Sequence, residues 1–214
     1  VAAVNESQPD GGPKLIVSDI PLQGPLTTDR PEVYFGEQSD HYIIVGGNEP
    51  EFTPAGGDEN VQTKFEGGGG VEINSLLRKI VYAWKFGDRN ILISGALNDN
   101  SRLIYRRNIQ QRIHELAPFL RLDADPYLVV DQGNMYWVQD AYTTTDLIPY
   151  SHRTGGVNYI RNSVKVVVNA YSGETNFYAM QPDEPLLKAY AAIFPDLFEP
   201  VDEMPATIRQ HIRS

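Results

Sequence analysis

Two pairs of short apolar runs, each broken by a tight polar turn, constrain this chain more than any other feature. Tyr127 to Val130 and Met135 to Val138 flank the turn Asp131 to Asn134, and Val164 to Val168 and Thr175 to Tyr178 flank Ser172-Gly173. β-Branched and aromatic residues on both sides of turn formers predict two antiparallel hairpins. Asp140-Ala-Tyr142 after the first hairpin and Asn169-Ala-Tyr171 in the second form a faint echo, too short to establish a repeat.

Other segments carry the helical period. Ile73, Leu76, Leu77, Ile80, Val81 and Trp84 recur at helical spacing with Arg78, Lys79 and Lys85 off that face, and the run stops at Phe86-Gly87-Asp88 as a glycine cap would stop it. Asn90 to Leu97 reads as a buried strand or a second apolar turn. Tyr105, Ile109, Ile113 and Leu116 predict a second helix, capped within Asn98 to Ser101 and ended by Pro118. Glu184 to Ala192 and Pro205 to Ile212 predict two short helices between prolines.

Upstream, Glu32 to Phe35 and His41 to Val45 read as two strands joined by a turn at Gly36 to Asp40. Gly46 to Gly70 reads as a long surface loop. Residues 1 to 30, with one β-like run at Leu15 to Val17, form an extended lead-in to a single domain over 31 to 214. Helices and hairpins occur in blocks without βαβ alternation, which gives an α+β class: antiparallel hairpins packed with about four helices.

Composition narrows the function. The 214 residues are 41% apolar, enough for a real core, and 18 Lys+Arg against 28 Asp+Glu leave a formal charge of −10. That field repels phosphate backbones, which argues against a nucleic-acid partner, and it repels anionic lipid surfaces. With no cysteine there is no disulfide frame, thiolate nucleophile or cysteine-bound metal. The apolar runs at Tyr42 to Val45, Ile91 to Ile93 and Val164 to Val168 fall far short of the roughly 20 residues that span a bilayer. Val1 to Pro13 lacks a signal-peptide pattern and is expected to be a cut within a longer chain.

Candidate chemistry is sparse. Gly67 to Gly70 ahead of a helix would offer backbone N–H groups to an anion, although no Lys-Ser/Thr follows and Glu66 and Glu72 flank it; a plain turn is the alternative. Arg102, Arg106, Arg107 and Arg112 on the second helix would grip a carboxylate or phosphate, or pair with the chain's own acids. Asp123, Asp125, Asp131 and Asp140 around the first hairpin suit calcium, with Asp123 and Asp125 the metal candidates, or serve as ordinary turn formers. His41, His114, His152 and His211 are scattered without zinc spacing, and there is no Gly-x-Ser-x-Gly elbow beside Ser151-His152.

The densest polar stretch runs from Asp140 to Arg161. Asp140, Tyr142, Asp146, Tyr150, His152 and Arg161 are the candidate ligand-binding residues, with hydroxyls, a histidine and tyrosine rings suited to a sugar or peptide. The same side chains also suit a loop that satisfies itself over a sheet.

Several blocks carry a resemblance: Arg30-Pro-Glu-Val-Tyr-Phe-Gly-Glu37, Gly57-Asp-Glu-Asn-Val61, Ser101-Arg-Leu-Ile-Tyr-Arg-Arg-Asn108 and Ala117-Pro-Phe-Leu120. Stronger ones follow at Asp123-Ala-Asp-Pro-Tyr127, Asp140-Ala-Tyr-Thr143, Pro149-Tyr-Ser151 and Asn158-Tyr-Ile-Arg-Asn-Ser-Val-Lys165. From about residue 14 to the end the chain resembles bacterial membrane proteins called uncharacterised protein family 0182. It departs at Asp131-Gln-Gly-Asn, where a tighter Asp-Gly is expected, and at Thr154-Gly-Gly156, which lengthens the polar loop.

The resemblance implies transmembrane helices elsewhere in the protein and an extracytoplasmic domain here, at the plasma membrane of a bacterium. It brings no reaction, cofactor or catalytic residue to individual positions. Three functions follow as expectations: a module that docks on its own transmembrane portion and binds an envelope ligand or partner, a cell-envelope hydrolase or transferase using paired carboxylates from Asp123 to Asp146, or a structural module.

Overall fold

The computed structural model describes residues 4–7, 13–15, 28, 30, 32–48, 51–52, 62–63 and 65–212. Early in the chain β1 (Val4–Ser7) pairs antiparallel with β2 (Pro13–Leu15), so part of the expected extended lead-in is a small hairpin. Strand β3 (Ile43–Val45) follows. The segment 46–70, expected to be loop, contains a second small ladder, β4 (Glu51–Phe52) with β5 (Gln62–Thr63), and then comes β6 (Val71–Glu72).

Helix α1 (Leu76–Phe86) starts where the Ser75 side chain accepts from the N–H of Arg78 and ends on Gly87 at φ 66, as the glycine signal predicts. Asn90 to Leu97 holds a single helical turn, α2 (Asn90–Ile93), and not a strand. The second helix is shorter than expected. Arg102–Ile104 forms strand β7, and α3 (Ile109–Leu116) begins only after Asn108, whose side chain accepts from the N–H of Gln111. Leu103 and Ile104 are both buried, and pairing β7 between β3 and β6 satisfies its own backbone groups and those of both neighbours.

Glu32 to Phe35 is not a strand paired with β3. The N–H groups of Tyr34 and Phe35 both donate to Ala170 O at 2.9 Å, which threads this segment onto the end of the second hairpin.

Both predicted hairpins form. Strands β8 (Arg121–Leu122), β9 (Tyr127–Asp131), β10 (Asn134–Thr145), β11 (Tyr159–Asn169), β12 (Thr175–Ala179) and β13 (Phe198–Pro200) make a six-stranded sheet ordered β13-β12-β11-β10-β8, with β9 also on β10. Pairing is antiparallel except for β12 with β13. The joint between the hairpins, β10 on β11, runs from Tyr136↔Asn169 to Thr145↔Tyr159, with a bulge between Ala141 and Thr143.

Alternation along these strands divides the core. Trp137, Ala141, Val164, Val166, Val168 and Phe177 face Ile109, Ile113 and Leu120 around α3 and Leu187 of α4 (Pro185–Ile193). Tyr136, Val138, Val167 and Tyr178 face Met204 and, from α5 (Ala206–Gln210), Ile208 on the other side. The small β3-β7-β6 sheet alternates likewise: Ile43, Val45 and Ile104 join the main core, while Ile44 and Leu103 meet Ile73, Ala83 and Ile91 under α1 and α2. The architecture is α+β. Among the described residues no helix is long and apolar enough to cross a membrane.

Candidate functional site

The long strands β10 and β11 position the polar residues. Asp140 and Lys165 stand directly opposite each other, and Lys165 Nζ donates to Asp140 Oδ1 at 2.6 Å with the lysine side chain only 3% exposed. Asn162 donates to the other Asp140 oxygen at 3.0 Å. An aspartate so engaged is a structural partner for a buried ammonium.

Next along, Tyr142 lies opposite Arg121 of β8, and its hydroxyl donates to Asp123 Oδ2 at 2.9 Å. Asp123 Oδ1 accepts from the N–H of Asp125 at 3.0 Å, forming a turn. These bonds, the Asp125 N–H first and then Tyr142, hold the Asp123 carboxyl below the usual carboxylate range. Burial, and secondarily the bond to that carboxylate, pushes the Tyr142 hydroxyl up. From within the core Gln139 Nε2 donates to the carbonyls of Asp123 and Asp140, fastening β8 to β10.

The connection from β10 to β11 is a loop with its own bonds. Asn158 Nδ2 donates to Ile148 O at 2.7 Å while its oxygen accepts from the N–H of Ile148, and Ser151 Oγ donates to Asn158 O. Thr154 and Val157 exchange backbone bonds across Gly155 and Gly156, both at positive φ, and Arg153 reaches Asp146 at 3.4 Å. The lengthened Thr154-Gly-Gly156 turn is thereby accommodated. Between this loop and β8 opens a cleft of about 720 Å³, lined in its polar part by Arg121, Asp123, Tyr142, His152, Asn158 and Tyr159. It offers donors, acceptors and two aromatic rings to a polar ligand.

The structure therefore brings Tyr142 and His152 together and adds Asp123. Asp140, Asp146, Tyr150 and Arg161 do not line this cleft. Asp140 is committed to Lys165, and Asp146 to Arg153. Tyr150 points fully into solvent at φ 61, and the Arg161 guanidinium sits 5.5 Å from the centre of the Tyr159 ring. Sequence reasoning missed Arg121, because nothing local announces that β8 returns beside β10. It also missed Lys165, for which a signal existed: a lysine alternating inside an apolar strand needs a buried counter-charge.

Tyr159 leads to a second polar chain. Its hydroxyl donates to Glu184 Oε1 at 2.6 Å, and Thr143 Oγ1 donates to Oε2 at 3.0 Å while also meeting Ser163 Oγ at 2.8 Å. Glu184 caps α4 by accepting from the N–H groups of Leu186 and Leu187. Burial pushes this carboxyl up, but the bonds from Tyr159, Leu187, Leu186 and Thr143 outweigh it and leave it below the ordinary glutamate value.

Two further expectations are corrected. Of the four arginines only Arg112 lies in α3: Arg102 is in β7, Arg106 has φ 55, and Arg107 donates to the carbonyls of Tyr34 and His41. Arg106 pairs with Glu115 at 2.8 Å, and Arg112 donates to Thr175 Oγ1 above the Phe35 ring. Gly67 to Gly70 runs into β6 rather than a helix, so no helix N-terminus faces an anion there. For calcium, among the described residues no three His, Asp or Glu side chains gather to hold a metal ion, and both Asp123 oxygens already accept hydrogen bonds.

The family model described as Uncharacterised protein family (UPF0182) matches residues 1–214. A UPF0182 protein of Pelotomaculum thermopropionicum is 46% identical over 216 residues, covering 100% of this chain and 24% of the relative. Its counterpart in a Sulfurovum species is 46% identical over 219 residues, covering 98% and 24%, and that of Moorella thermoacetica is 46% identical over 208 residues, covering 95% and 23%. The chain spans about a quarter of the length of these curated relatives. No solved structure gives a significant match.

Proposed function

The chain belongs to the uncharacterised protein family UPF0182, and from that premise we propose that it is the binding domain of a larger bacterial membrane protein. On this reading it lies on the outer side of the plasma membrane, docks on the transmembrane portion of its own protein, and holds a small polar envelope ligand of the sugar or peptide class. The observation that carries the reading is the cleft between β8 and the loop at 146–158, where Tyr142, His152, Asn158 and Tyr159 converge over Arg121 and Asp123. Two rings offer stacking surfaces, and the polar atoms around them fix orientation.

Binding is favoured over catalysis because an acid and base pair requires two carboxylates facing one cleft. Asp123 is the one carboxylate among the lining residues here, and its two oxygens are engaged.

A thermal-shift series with peptidoglycan fragments, oligosaccharides, short peptides and divalent cations tests the proposal. A ligand at one hundred times its Kd stabilises the native state by about 2.7 kcal/mol, or roughly 5–10 °C in Tm for a chain of this size. The shift is expected to vanish in His152→Ala, whose unliganded Tm stays unchanged because His152 is exposed. No saturable shift across the series, or a shift indifferent to His152→Ala and Tyr159→Phe, refutes the cleft as a binding site.

A further inference from the structure

The clearest apolar stripe in the sequence faces away from the protein. On α1, Tyr82, Ala83 and Phe86 turn inward, with Phe86 stacked on Tyr42 at 4.5 Å between ring centres. Leu76, Leu77, Ile80, Val81 and Trp84 lie on the opposite side at 69, 71, 47, 48 and 86% exposure, and Ile93 of α2 adds another exposed apolar side chain. None of them is needed to build the core described above. A contiguous stripe of this kind on a free surface marks an interface.

The surrounding charge identifies the partner. By helical position Arg78 and Lys85 border one edge of the stripe, with Lys85 Nζ 4.1 Å from the centre of the Tyr105 ring, while Lys79 falls on the inward side between Phe86 and Ala83, and Arg89 follows just past the cap. From Ser75 to Ile93 these four cations meet a single acid, Asp88, in a chain whose net charge is −10. The Asp88 carboxylate accepts from the Tyr42 hydroxyl and from the N–H of Asn90. Glu72, nearby, is shared between Arg78 at 3.9 Å and Arg102 at 3.7 Å. The local field is thus positive, and beyond about 10 Å the acids elsewhere are screened.

An 11-residue helix is about 16 Å long, too short to span a bilayer but suited to lying in its surface. Leucine, isoleucine and tryptophan on one side with flanking lysine and arginine is the pattern that enters the headgroup layer, where tryptophan rings concentrate and basic side chains reach anionic phosphates.

We propose that α1 and α2 form an interfacial element that lays its outer face into an anionic lipid bilayer and fixes the domain's orientation on the membrane. The proposal does not depend on the cleft, so either can fail alone. It reverses locally the repulsion expected from the net charge.

The test mixes the 214-residue chain with vesicles of phosphatidylcholine alone or containing phosphatidylglycerol, measuring co-sedimentation and tryptophan emission. Trp84 is the reporter; the other tryptophan, Trp137, is half-buried and bonded to Phe35 O. Blue-shifted emission and sedimentation with the anionic vesicles are expected. At about one unit of kcal/mol per basic residue at the surface, Arg78→Gln/Lys85→Gln/Arg89→Gln weakens partitioning roughly a hundredfold. Leu77→Ser/Ile80→Ser/Trp84→Ser removes it, followed by sedimentation alone, while Tm holds. Absence of binding to anionic vesicles overturns the proposal, as does equal binding to both vesicle types that the charge variant leaves intact. A dimer in solution that the serine variant dissolves, with no vesicle binding, overturns it in favour of a protein partner.

Discussion

Replacing Glu184 by alanine should destabilise the protein by removing four hydrogen bonds at once. Glu184 is 6% exposed and accepts four hydrogen bonds: from Leu187 N–H at 2.7 Å, Leu186 N–H at 3.1 Å, the Tyr159 hydroxyl at 2.6 Å and the Thr143 hydroxyl at 3.0 Å. Losing an N-cap costs about 1 kcal/mol. The charged acceptor's bonds to the two hydroxyls are worth more each, but Thr143 keeps Ser163 and Tyr159 can turn to water, so about 2 kcal/mol is the combined further loss. The total of about 3 kcal/mol corresponds to roughly 6–12 °C in Tm. Because the folded-state pKa lies below the ordinary glutamate value, the stability tied to ionisation is complete above about pH 5 and is lost as pH falls through the folded value. Urea melts from pH 3 to 7 should therefore show a steeper rise with pH in the native sequence than in Glu184→Gln. A loss below 1 kcal/mol in Glu184→Ala, or an unchanged pH slope in Glu184→Gln, would refute the capping network as a source of stability.

Two further outcomes follow from buried geometry. Asp140→Ala, which strips the Lys165 ammonium of its carboxylate, should cost about 3–5 kcal/mol in urea melts, whereas Asp140→Leu/Lys165→Met should cost far less; equal losses would contradict the pairing. Gln132 sits at φ 47 ahead of Gly133 at φ 76, so Gln132→Asn should raise stability by about 0.5–1 kcal/mol, and a decrease would argue against this turn geometry.

Much of the fold was legible because both hairpins are written in local patterns, and their turns fall where glycine or a neighbouring polar residue marks them. The departures have physical causes. Arg102–Ile104 looked helical because Tyr105, Ile109 and Ile113 carry the helical spacing onward, but the strand is selected by partners at Ile43–Val45 and Val71–Glu72, far off in sequence. Ile73 to Trp84 shows a different case, in which the helix was readable from its period while the side that the protein covers was not. Periodicity reports that a helix is amphipathic and says nothing about which face the rest of the protein covers. In the candidate site, Tyr142 and His152 were readable as polar residues in a dense stretch; Arg121 entered through strand pairing, which no local pattern records.

The polar stretch that drew attention in the sequence turns out to have two layers with different physical tasks. Asp140 with Lys165, and Thr143 and Ser163 with Glu184 of the α4 cap, lie on or against the sheet, where an unpaired polar group is costly, so each is fixed by partners rather than free for a ligand. Above them, Tyr142 and Tyr159 belong to both layers: each hydroxyl is tied down to a carboxylate, Asp123 or Glu184, and each residue also lines the cleft. Anchoring a ring through its hydroxyl removes rotamer freedom before any ligand arrives, which lowers the entropy lost on binding. On the binding function proposed for the cleft, these carboxylates are supports that hold its rings in place, so a change at His152 should alter binding alone while a change at Glu184 should alter stability as well.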